Sequence, residues 1–116
     1  MIKVTKSAFQ GDMAIIRREK APEGFEPQEP SKEVVVAHSE TGHHHVALGD
    51  NLVHMINPTN PMSSYLVAKG PVVIEHRRPT DTHESYELLY EGPAEVVWEI
   101  RRQREHTPEG YRRVED

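Results

Sequence analysis

The chain has 116 residues, enough for one hydrophobic core and too few for two. It contains no cysteine, which excludes disulfides, thiolate metal sites and cysteine nucleophiles. A formal net charge of -5 argues against a general nucleic-acid binder, and a hydrophobic fraction of 35% points to a thin core completed by a partner subunit.

In chain order, Met1 to Thr5 reads as a first strand and Met13 to Arg17 as a second, with the turn Gln10-Gly11-Asp12 before it. Asp12 at that turn is suited to bonding a cation or the backbone. Ala21 to Ser31 carries Pro22, Gly24, Pro27 and Pro30, which deny ladder donors and block a helix, so it reads as a surface loop. Glu33 to His38 and His43 to Leu48 form a hairpin closed by Ser39-Glu40-Thr41-Gly42. Asn51 to Ile56 is a further strand, ended by Asn57-Pro58. Tyr65 to Lys69 and Val72 to His76 flank the turn Gly70-Pro71; Tyr86 to Tyr90 and Glu95 to Arg104 flank Glu91-Gly92-Pro93-Ala94.

In the last of these strands Val96, Trp98 and Ile100 alternate with Val97, Glu99 and Arg101, which predicts one buried and one wet face. Tyr65, Tyr86, Tyr90 and Trp98 are assigned to core and cross-strand packing. Thr107-Pro108-Glu109 has the cap and first-position proline of a short terminal helix, and the final decapeptide is expected to be disordered. These elements predict an all-β single domain over residues 1–106, a barrel or sandwich with a cupin-like barrel among the alternatives, followed by a tail over 107–116.

No apolar run approaches the roughly 20 residues that span a bilayer. Met1 to Gln10 has no signal-peptide core, so the expected location is the cytosol. The thin core and long final strand point to a two-fold homodimer. Arg101, Arg102, Arg104, Arg112 and Arg113 are interleaved with acidic residues, the pattern of a solvated mixed-charge strand rather than a phosphate stripe.

Histidine carries the chemistry. The chain has 8 of them, and His43-His44-His45 opens a strand. A strand has a side-chain period of two, so His43 and His45 share one face and present two imidazoles to one point. His76 ends one later strand, and His83 with Glu84 precedes another. Two ligands on one hairpin and two on a later one is how a cupin-like barrel holds Zn, Fe, Ni or Mn. The predicted metal ligands are therefore His43, His45, His76 and His83. His38, His54 and His106 stand alone and are read as ordinary histidines. The competing assignment has the cluster capping strands and facing solvent. No catalytic residue is assigned; Glu40 or Glu84 beside a metal would be a candidate base. No serine sits in a nucleophile elbow, and there is no glycine-rich phosphate loop.

Gln10-Gly11-Asp12, Thr41-Gly42-His43-His44-His45 and Arg102-Gln103-Arg104-Glu105-His106 together resemble a set of uncharacterised small bacterial and phage proteins. Those carry a Gln-Gly-Asp turn, a Thr-Gly-His-x-His hairpin and an Arg-Gln-Arg-Glu tail. The resemblance implies a shared histidine site but names no activity. It also supplies a second functional class, a non-enzymatic phage or prophage accessory protein acting through its surface and its Arg-rich final strand.

Overall fold

Short runs of β-branched and aromatic residues, broken by Gly, Pro and Asn, leave no stretch with a helical apolar period. In the computed structural model the described residues accordingly form strands, turns and connections and no helix. Those residues are 1–38, 44–77, 84–90, 95–102, 104–107 and 110–113.

The strands are β1 (Ile2–Val4), β2 (Ser7–Gln10), β3 (Met13–Arg18), β4 (Glu26–Pro27), β5 (Ser31–His38), β6 (His44–Ile56), β7 (Ser63–Ala68), β8 (Val72–Arg77), β9 (Tyr86–Leu88), β10 (Val96–Arg102), β11 (Arg104–Thr107) and β12 (Gly110–Arg113). The main path runs β1-β9-β8-β6-β7-β10-β3-β2, a nearly closed barrel. Its neighbours are antiparallel except β1 and β9, which run parallel.

β6 holds the barrel together. Its first half pairs with β5 and β8, its second half with β4 and β7. The two strands expected at His43 to Leu48 and Asn51 to Ile56 are thus one strand with a bend. Asn51 takes a left-handed φ of 49°, which asparagine tolerates better than most residues. At Gly49 a Cβ would meet the Pro71 carbonyl oxygen at 3.2 Å and Leu52 Cδ2 at 3.1 Å, so the bend packs directly on the β7–β8 turn.

Trp98, Met13, Ile15, Leu52, Leu66, Ile74, Leu88 and Ile100 fill the interior. Trp98 sits on β10 between β3 and β7, cross-strand from Arg17 and Leu66. The alternation on β10 holds for Val96, Trp98 and Ile100. The opposite face departs from expectation, because Val97 and Glu99 are buried too and only Arg101 is exposed. The proline-rich segment supplies part of the cover: its Phe25 packs edge-on against Tyr65, the β7 neighbour of Glu99.

The tail also departs. β11 and β12 pair as a hairpin, with His106 opposite Tyr111, where a helix start and disorder were expected. Residues 108–109 lie outside the described residues. Backbone pairing on both sides of Pro108 uses Thr107 in a ladder rather than as a helix cap.

His54 on β6 gives the fold a pH signature. Burial holds its imidazole below the ordinary value of 6.5, and its Nε2 has no hydrogen-bond partner among the described residues. As pH falls, the unfolded chain takes up this proton first. The contribution to stability is therefore whole above about pH 6.5 and is lost as pH falls through the lower folded value. Urea unfolding between about pH 7 and 5.5 should show a smaller loss of midpoint in His54→Leu than in the parent. Identical pH dependence in both proteins would contradict this.

Candidate functional site

Four chain segments meet at one point of the barrel: the β2–β3 turn, the start of β6, the end of β8 and the end of β10. The turn is a two-residue loop, because Gln10 pairs with Met13. Gly11 occupies its first position with φ 58°, as a type II′ hairpin requires. This tight reversal leaves Gln10 and Asp12 facing inward, 3% and 2% exposed.

His45, on β6, is 0% exposed and lies directly cross-strand from His76 on β8, which is 5% exposed. Their rings stack at 4.3 Å between centroids with 13° between planes. The Gln10 amide nitrogen donates to the carbonyl oxygens of Ile74 (3.1 Å) and Glu84 (3.3 Å). Both partners are acceptors, so the amide orientation is fixed, and its Oε1 lies 2.8 Å from His45 Nδ1. A carbonyl-type oxygen can only accept, hence Nδ1 carries a proton and donates it. In neutral imidazole the electron pair is then on Nε2. That atom faces Asp12 Oδ1 at 3.4 Å, while the other Asp12 oxygen lies 3.8 Å from an Arg102 guanidinium nitrogen.

Of the four predicted ligands, the structure brings His45 and His76 together. His43 and His83 lie outside the described residues, as do Glu40 and the shared-face relation of His43 to His45. Glu84 is exposed, and its backbone oxygen rather than its carboxylate reaches the cluster. Among the described residues no group of three metal-capable side chains converges on one point. Parallel stacking explains part of this: ring nitrogen lone pairs lie in the ring plane, so stacked rings aim their pairs along parallel planes.

Two members of the cluster were not read as site residues from the sequence, Gln10 and Arg102. The only local signal was polar residues flanking a tight turn and ending an apolar strand.

The family model for Domain of unknown function (DUF8820) matches residues 9–103. The chain belongs to this family. No curated protein and no solved structure matches the chain. The DUF8820 span takes in Gln10, Asp12, His45, His76 and Arg102, and leaves out β1 and the terminal hairpin. The first, second and last of the motifs noted in the sequence contribute Asp12, His45 and Arg102 respectively to this one point.

Proposed function

We propose that this DUF8820 chain is a metal-binding β-barrel protein whose cluster takes a divalent transition metal through His45 Nε2 and Asp12. The observation that carries the reading is the separation of His45 Nε2, whose tautomer Gln10 fixes, from Asp12 Oδ1. Two ligands at about 2.0–2.1 Å from one tetrahedral ion stand about 3.4 Å apart. His45 Nε2 and Asp12 Oδ1 stand 3.4 Å apart. The Gln10 contact to Nδ1 is also what metal-ligating histidines usually have, since it fixes the tautomer that offers Nε2.

His76 holds the plane of the His45 ring by stacking; to join the same ion it would turn about its Cβ–Cγ bond. His43 and His83 belong to the β5–β6 and β8–β9 connections, which leave from His44 and Arg77, neighbours across the same ladder. Those two histidines are the proposed remaining ligands. Zn, Ni, Fe and Mn all accept such a nitrogen and oxygen set.

The second reading is an accessory protein that acts through its surface and its Arg-rich final strand. Arg102 beside Asp12 favours it, because a guanidinium competes with a metal for the same carboxylate. In that case His45 and Asp12 are an internal ion pair.

Calorimetric titration of the chain with Zn²⁺, Ni²⁺ and Mn²⁺ separates the two. Metal binding should weaken as pH falls through the histidine range near about 6.5, where protons compete for Nε2. His106→Ala, on β11 and beyond the span that the family model matches, should bind like the parent. Absence of binding by the parent for all three ions would leave the second reading.

A further inference from the structure

The outer face of β10 carries a different feature. Glu99 points away from the core yet is only 4% exposed. Its carboxylate is occupied: Arg18 Nε donates to one oxygen at 2.8 Å, and Arg101 donates to the other through Nε at 3.1 Å and a terminal nitrogen at 2.9 Å. Burial raises the Glu99 pKa, but these two guanidinium groups outweigh it and hold the carboxyl below its ordinary value. The group therefore stays ionised and works as a clamp on Arg101.

Beside this clamp lies a cavity of about 580 Å³, inside the range of small-molecule sites. Its apolar wall includes Pro22, Phe25, Met62 and Tyr65, and its charged side Glu99, Arg101 and Arg102. Phe25 and Tyr65 meet at 4.9 Å with 80° between their planes, which makes an aromatic corner. A flat ring placed there lies on one face and meets the other ring edge-on, the two favoured aromatic geometries. Three guanidinium groups, of Arg18, Arg101 and Arg102, stand against the carboxylates of Glu99 and Asp12 and leave one positive charge, which suits a monoanion. Arg101 uses two of its five N–H donors on Glu99, and its side chain is 52% exposed.

We propose that this cavity binds a small organic carboxylate with a flat apolar body, its ring in the Phe25–Tyr65 corner and its carboxylate on Arg101. The proposal does not depend on a metal at His45, and its test is run with a chelator present so that the two can fail separately.

The test is a titration of the ¹⁵N-labelled full chain with benzoate, using acetate and benzylamine as controls. A ligand of benzoate's size should bind with a dissociation constant of about millimolar order. The expected result is saturable shifts at the amides of Phe25, Tyr65 and Arg101, with acetate and benzylamine each at least about tenfold weaker. Arg101→Gln and Phe25→Ala should each weaken benzoate by about tenfold. Neither side chain is buried, so both variants should keep the parent's amide dispersion, and Phe25→Ala leaves the Glu99 clamp untouched. Benzoate binding no better than acetate, shifts located elsewhere, or parental affinity in Phe25→Ala would each overturn the proposal.

Discussion

His45→Ala should lose metal binding by more than about 100-fold and should also cost about 2–4 kcal/mol of folding stability. The stability cost follows from burial. The ring is 0% exposed, stacks on His76 and donates to Gln10. Removing it leaves a cavity, takes the donor from a buried Gln10 oxygen, and takes the imidazole from beside Asp12. An unsatisfied buried acceptor costs about 1–3 kcal/mol and the cavity adds to it. The binding loss follows from removing the nitrogen donor whose tautomer Gln10 fixes. Urea unfolding and metal titration on the same sample read the two effects independently. A variant within about 0.5 kcal/mol of the parent would mean that the cluster is not packed as described.

Trp98→Ala is expected to cost about 3–5 kcal/mol, a large share of the 5–15 kcal/mol typical of a domain this size. Trp98 is 1% exposed and sits on β10, which is paired on both sides, so no edge is available to relax toward the void. Trp98→Phe keeps much of the volume and should lose markedly less. Both are measured by urea denaturation followed by far-ultraviolet circular dichroism, since the substitution removes the chain's 1 tryptophan. Equal losses in the two variants would show that packing around the indole is not what stabilises β10.

The strands with alternating or continuous apolar residues were legible because their period reports directly on burial. Val72 to His76 and the Val96–Trp98–Ile100 face are instances. The two-residue β4 was not legible, because Glu26 and Pro27 carry no strand signal and pair only at the far half of β6. β2 was missed for a related reason: Ser7 to Gln10 has one large apolar residue, Phe9, and it points outward at 63% exposure. The bend in β6 hid in Gly49-Asp50-Asn51, which reads as a turn between two strands when its neighbours are unknown. Burial of Glu99 depended on a segment from elsewhere in the chain, which alternation along β10 cannot report.

The site divides in the same way. His45 was visible from the histidine spacing and His76 from its place at a strand end. Gln10 reaches His45 and the Ile74 carbonyl of β8 through contacts 35 and 64 residues away in sequence, set by which strand faces which. Arg102 was visible only as one arginine in a mixed-charge run. Its meeting with Asp12 comes from β10 and β3 pairing in a register that sets Arg102 opposite Met13.

The most direct measurement is elemental analysis of untagged protein, as purified and after reconstitution with Zn²⁺ followed by removal of excess ion. About one metal ion per chain is expected in the parent and in His106→Ala, and none retained by His45→Ala. No metal in the reconstituted parent, or equal metal in the parent and His45→Ala, would contradict it.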